Sequence, residues 1–373
     1  MNKISKYFLR NEFKIFFILL SALLLISFLG QYSSACGKFD GRIQRHLIRI
    51  IIGISIAYIV YIIDFKFWSS FAYVFYLAIL VILVIVDVLG TIKLGAQRWI
   101  NLYFFSFQPS ELMKLALILG LSRYYSLLSL SESKNFKNHI SPIFLVLFPT
   151  FLIFKQPDFG TAVLLFGSGF GIIFVSRFPK RIFFIALALF SGLCPLGWFL
   201  LHDYQKNRIL TFLNPDRDPL GAGYHILQSK IAIGSGYIFG RGFLCGIQGK
   251  LDFLPEKNTD FIFTTIVEEF GFIGGILIIV LFLFLVVYFL WTASEVRAKF
   301  SKFMCYGLGI MIFVHVFINI AMVIGLVPVV GIPLPFLSYG GSSMITFMIS
   351  CGLVMSALDN NHAQRKTILV TKY

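Results

Sequence analysis

The chain has 373 residues, of which 58% are hydrophobic, 17% aromatic and only 13% charged. A soluble domain carries roughly 25% charged residues, and a water-soluble core of this size has no room for so much apolar surface, so the surplus must face lipid. The net charge of +15 sits mostly in short segments between apolar runs and accompanies no nucleic-acid-binding motif, which excludes a nucleic-acid partner and reads as topological bias plus attraction to anionic lipid.

A span needs roughly 20 apolar residues, and about ten such runs follow one another in a single membrane domain, 1–373. They lie near 13–35, 46–64, 69–88, 109–125, 140–156, 159–176, 181–202, 262–290, 303–327 and 340–358. The expected fold is therefore an all-α polytopic membrane protein. Lys3, Lys6, Arg10 and Lys14 precede the first run, and Ser34-Ala35-Cys36-Gly37 follows it in the manner of a lipoprotein signal. The many later spans favour a retained first helix. The fourth run carries Glu111, Lys114 and Arg123 and is expected to face other helices or a cavity. With the N-terminus in the cytoplasm, seventeen Lys and Arg fall at cytoplasmic ends and eight in short outer segments. This predicts both termini inside and the long 203–261 loop, between spans seven and eight, outside. Its glycines alternate with Tyr224, Ile226, Leu227, Ile231, Ile233, Tyr237 and Phe239, so it is expected to fold back onto the membrane surface.

No GxxxxGK[ST] and no GxGxxG after a strand is present, which argues against an ATP-driven machine. The five cysteines form no CxxC and no metal or disulfide framework, although Cys36 and Cys245 are both placed outside. Four polar clusters interrupt the apolar pattern. In Gly95–Ile100 and Phe107–Lys114, Pro109 suits the first position of a helix and Glu111 the third, with Lys114 on the same face. That is either a capped, internally paired helix start or a cationic site in which Arg98 and Lys114 meet a phosphate headgroup and Glu111 positions Lys114. In Lys155–Ala162, Asp158 reads as a cap for the sixth span. Asp260 is the last charge before the apolar run that starts at Phe261. It is either a helix cap or, desolvated at the water–lipid boundary, a general base. Glu268 and Glu269 read as anchors between helices. The fourth cluster, Pro328–Ser343, is a rigid turn before the last span.

GAQRWI (95–100) and FQPSELMKLA (107–116), QPDFGTA (156–162), NPDRDPLGAGYHILQSKIAIGSG (214–236), FLPEKNTDFIF (253–263) and GIPLPFLSYGGSS (331–343) together resemble, in order, the SEDS family of shape, elongation, division and sporulation proteins. The loop details and short tails look more like its elongation branch. The family usually has His before the Thr-Asp pair; this chain has Asn258. The resemblance implies a ten-helix fold in the bacterial cytoplasmic membrane with a cavity facing the periplasm. It also implies glycosyltransferase activity that polymerises lipid II into glycan strands. The essential aspartate maps onto Asp260, the acidic–basic helix pair onto Glu111 and Lys114, and the loop arginine onto Arg98. A class B penicillin-binding protein, a transpeptidase, and other membrane proteins of the elongation complex are the implied partners. The cofactor stays open, with a divalent cation such as Mg2+ among the options. A lipid II flippase and a non-catalytic scaffold are the rival readings.

Overall fold

With few charged residues, the chain satisfies its backbone inside helices and packs those helices around a core of large apolar side chains. The computed structural model describes the backbone over residues 3–89, 91–93, 96–102, 105–129, 131–176, 203–218, 221–247 and 256–370, with isolated positions between 178 and 199. Side chains at the two chain ends and across 91–106, Trp99 apart, lie outside the description. In chain order the elements are α1 (Lys3–Ser34), α2 (Gly41–Ile62), α3 (Phe65–Leu89), β1 (Thr91–Lys93), β2 (Ala96–Leu102), β3 (Phe105–Phe107), α4 (Pro109–Leu127), α5 (Ile140–Lys155), α6 (Phe159–Val175), α7 (Asp203–Leu213), α8 (Ala222–Ser235), α9 (Ile262–Glu295), α10 (Lys299–Val323) and α11 (Gly341–Val370).

Among the described residues seven helices are long and apolar enough to cross a membrane: α1, α2, α3, α5 with the turn before it, α9, α10 and α11. The shorter apolar helix α6 coincides with the sixth expected span. The fourth expected span is α4, which is buried from Met113 to Ser122 on every side. That explains its charges, since a helix enclosed by other helices need not present an apolar face to lipid. The seventh expected span, 181–202, lies outside the described residues.

The first motif is the exception to an all-α chain. Strands β1, β2 and β3 form a three-stranded antiparallel sheet in that order, with Ile92 paired to Gln97 and Ile100 to Phe107. Arg98 lies on β2, and its side chain is outside the described residues. The long loop is largely helical as well. Asn214 caps a 3-10 turn at Pro215–Arg217 by accepting from the Asp216 amide. Helix α8 docks through Ser229, whose hydroxyl meets Thr264 Oγ1 at 2.9 Å and donates to the Val323 carbonyl at 2.7 Å.

Helix α9 is broken at Gly271, where φ is 68° and ψ −166°. The interruption frees backbone groups that the segment after α8 satisfies. The amides of Phe272 and Ile273 donate to the carbonyls of Tyr237 and Ile238, and those of Arg241 and Gly242 to Glu268 and Glu269. This close approach requires glycine on both sides: a Cβ at Gly271 would stand 2.3 Å from the Gly240 nitrogen, and one at Gly240 2.0 Å from the Glu269 carbonyl oxygen. The carboxylates beside the break brace it, as Glu269 accepts from Ser33 of α1 and Glu268 from the Ile247 amide. Gly271→Ala adds a side chain at positive φ to a backbone clash, and strain of this kind costs roughly 1–3 kcal/mol. The variant is expected to melt below the parent protein in a detergent thermal-shift assay, whereas an unchanged melting temperature would mean that the break is not a close-packed junction.

Candidate active site

Asp260 stands just before α9, on a segment that passes from the polar loop into a membrane helix. Such a segment leaves carbonyls without intrahelical partners, and here three in a row are taken up by other elements. The Asn258 carbonyl accepts from Gln31 Nε2 of α1 at 2.9 Å and from the Tyr339 amide at 2.8 Å. The Thr259 carbonyl accepts from Ser338 Oγ at 2.7 Å. The Asp260 carbonyl accepts from Asn319 Nδ2 of α10 at 3.0 Å, and the same amide donates to Ile332 at 2.6 Å. The turn at 331–340 is tied down in its own right: Ser27 Oγ donates to the Phe336 carbonyl at 2.8 Å and Gln31 Nε2 to that of Leu337 at 3.0 Å. Each neutral bond nets only about 0.5–1.5 kcal/mol. Their joint effect is to fix the backbone that carries Asp260.

That side chain lines a cavity of about 430 Å³, within the roughly 300–1,000 Å³ range of ligand sites. One wall is Glu256, Thr259 and Asp260; a second is Trp99 of β2 with Gln108 and Glu111 at the start of α4. Asp158 and Thr161 of α6, Arg208 of α7 and His225 of α8 close the sides, and Gly331–Pro333 with Tyr339 forms the rim. Members of all four polar clusters thus meet in one place. Asp158 is the expected cap, accepting from the Thr161 amide at 3.2 Å, and it also accepts from Gln108 Nε2 at 2.8 Å. Among the described residues no three His, Cys, Asp or Glu side chains gather as a metal cluster.

Lys114 differs from its expected role. It is 0% exposed, and its ammonium donates to Glu111 Oε1 at 2.7 Å and to His315 Nε2 at 2.7 Å. Met311 O lies 2.9 Å from His315 Nδ1, so the imidazole carries its proton on Nδ1 and accepts the lysine's through Nε2. The i,i+3 spacing produced the expected pair, but helix geometry turned the lysine into the bundle and left the carboxylate at the wall. Glu111 Oε2 has no hydrogen-bond partner among the described residues. Lys114 therefore holds Glu111 in place, the reverse of the expected order, and does not line the cavity.

Three cavity residues had no individual role assigned from the sequence, although Tyr339 belongs to the fourth cluster and His225 to the 214–236 motif. Arg208 lies in an unremarkable stretch of the loop. Tyr339 matters through contacts that only the fold creates: Arg45 Nε donates to its hydroxyl at 3.2 Å, and the Arg49 guanidinium sits 4.1 Å from its ring centroid. His225 packs on Phe261 with ring centroids 6.0 Å apart. Burial lowers its pKa below the ordinary 6.5, against the opposing pull of Glu256 and Asp218.

Two outcomes are expected here. Lys114→Met strands a buried carboxylate, a loss of about 3–5 kcal/mol when one partner of a buried pair is removed, and Glu111→Gln added to it should recover much of the thermal stability. Equal melting temperatures for the single and double variants would deny the pairing. For His225, a folded pKa below 6.5 means that the unfolded chain takes up the proton first. Its contribution to stability is present above the unfolded pKa and is lost as pH falls through the folded one. The drop in melting temperature from about pH 7 to about pH 5 should accordingly be smaller in His225→Gln than in the parent; identical drops would show that His225 is not buried in the neutral form.

The model of the cell cycle protein family of FtsW, RodA and SpoVE matches residues 11–363. The peptidoglycan glycosyltransferase MrdB of Escherichia coli K12 is 41% identical over 94% of this chain and 93% of its own length. Stage V sporulation protein E of Bacillus subtilis is 36% identical over 90% of this chain and 93% of its own. Among solved structures, a chain from a peptidoglycan synthase complex that coordinates polymerization and crosslinking superposes with a TM-score of 0.81 at 29% identity, covering 93% of this chain and 97% of that one. RodA of Thermus thermophilus superposes with a TM-score of 0.70 at 24% identity, covering 93% and 96%, and supports the fold. The chain belongs to this FtsW/RodA/SpoVE family, the SEDS proteins, and is a multi-pass protein of the bacterial cytoplasmic membrane.

Proposed function

We propose that the cavity joins lipid II units into glycan strands during cell elongation, with Asp260 as the general base. The chain is a peptidoglycan glycosyltransferase by family and by the relatives it matches over nearly its whole length. The observation that carries the finer reading is Asp260 itself, a carboxylate at the wall of a polar cavity, on a segment whose three carbonyls are held from α1, α10 and the 331–340 turn.

Asp260 takes the proton from the 4-hydroxyl of the acceptor's GlcNAc. The oxygen attacks C1 of the donor's lipid-linked MurNAc from the opposite face, the C1–O bond to pyrophosphate breaks, and the anomeric centre inverts. Arg208 faces the same space, and with Arg98 on β2 it offsets the charge that develops on the departing pyrophosphate. Glu111 lines the same cavity with its carboxylate anchored by Lys114, and it is assigned to substrate binding. The substrate's polyprenyl tail stays in the bilayer, which fits a site at the end of a membrane bundle. A class B penicillin-binding protein crosslinks the product and is the proposed partner.

The test is glycan polymerisation from purified lipid II by the full chain with its transpeptidase. General-base assistance is worth about 10²–10⁴-fold, and Asp260→Asn with an unchanged melting temperature is expected to lose that much. A larger loss would add a second role such as holding a divalent ion. Full activity in the variant would remove Asp260 from the chemistry. No polymer from either protein, together with lipid II translocation in vesicles, would make the chain a flippase.

A further inference from the structure

The break in α9 also fixes where the surrounding loop lies relative to lipid. At about 1.5 Å per residue, the 34 residues of α9 run to about 51 Å, well beyond the ~30 Å hydrocarbon core. The part after the break, 272–295, is by itself about 36 Å long and apolar throughout its first twenty residues. It is therefore the part that crosses the core, and Gly271 marks the edge of the hydrocarbon. Glu268 and Glu269 fall on the headgroup side of that edge, where carboxylates are affordable.

The segment bonded to this break carries its side chains the other way. The carbonyls of Tyr237 and Ile238 are taken by the amides of Phe272 and Ile273, so the backbone of the turn is satisfied without water. Tyr237 and Phe239 are nevertheless 82% and 80% exposed, and Ile238 between them is 58% exposed. Three consecutive bulky apolar side chains pointing away from a protein are costly in water. Their patch continues without interruption into Phe272 and Ile273 and then down the exposed, lipid-facing side of α9 at Leu277 and Leu283. Exposed Arg241 follows directly, its Nε donating to the Ser235 carbonyl.

We propose that the Tyr237–Phe239 turn is a membrane anchor, a wedge from the large loop seated in the interfacial layer of the bilayer beside α9. Aromatic residues with one polar edge are favoured at that depth, and Arg241 stands where a lipid phosphate would be. The backbone bonds to α9 make the wedge rigid, so that α8 and its cavity residue His225 are held at a set height above the lipid. The occupant is the bilayer itself, because the patch is continuous with a surface that already faces it.

A nitroxide at Phe239→Cys tests this in the full chain, with the native cysteines replaced, in nanodiscs containing anionic lipid. Collisions with oxygen report lipid, and collisions with nickel-EDDA report water. Leu283→Cys serves as the lipid reference and Asp216→Cys, on the exposed 3-10 turn, as the water reference. The label at 239 is expected to group with Leu283, and the same result at Ile238→Cys would guard against a local disturbance. A label that groups with Asp216 overturns the anchor. So does one that leaves water only when the transpeptidase is added, which would make the patch a protein-binding surface.

Discussion

Every backbone amide and carbonyl near lipid must find a partner within the protein, and the organisation of this chain depends on that constraint. Most of the chain meets it by staying helical. Among the described residues it is exposed at the broken turn of α9 at Gly271 and at the non-helical entry to α9 at Asn258–Asp260, and both receive partners from distant sequence. The first is paired with backbone from residues 237–242, the second with side chains from α1, α10 and the turn before α11. Both repairs lie on the same helix, at the same end of the bundle, and the cavity opens there.

The same accounting explains the polar residues around the cavity. Lys114 is enclosed and needs acceptors, which Glu111 and a Nδ1-protonated His315 supply. Arrangements of this kind rarely add net stability compared with apolar packing. What this one does is tie Glu111 Oε1 to the enclosed lysine while the residue itself lines the cavity. Asp158 is held at both oxygens, with one capping α6 and the other accepting from Gln108. The cavity is thus framed by carboxylates whose orientations are fixed by hydrogen bonds, Glu111 through one oxygen and Asp158 through both, which holds a polar site rigid in apolar surroundings.

How much of this was legible in the sequence depended on whether the signal was local. Hydropathy located the long helices, and the charges in the fourth apolar run announced a helix enclosed by others. Pro109, Glu111 and Lys114 announced their pair by spacing, and Asp158 its cap. The sheet at 91–107 was missed because a seventeen-residue loop between membrane spans carries no alternation long enough to read as strands. The direction in which Lys114 points could not be read, since i,i+3 spacing says that two side chains meet and not which of them faces the cavity. Arg208, His225 and Asn319 were assigned no role for a related reason: each acts on residues many positions away in the chain.

The depth of the site follows from the same helix. Asp260 precedes the break by eleven positions, or about 16 Å if that stretch were straight and helical at ~1.5 Å per residue. Headgroups add about 5–8 Å on each side of the hydrocarbon core. A stretch of that length can carry the carboxylate through the headgroup layer and at most about 8–11 Å beyond it. In a polyprenyl pyrophosphate sugar the phosphates sit within that layer and the anomeric carbon is the first atom of the sugar beyond them. A base that must reach a hydroxyl attacking that carbon is needed at this height. Placed deeper, it would face the lipid tail; placed further out, it would meet only the distal part of the substrate. Under the proposed function, the spacing between Asp260 and Gly271 keeps the carboxylate on the outer side of the hydrocarbon, the side on which the bond to be made is found.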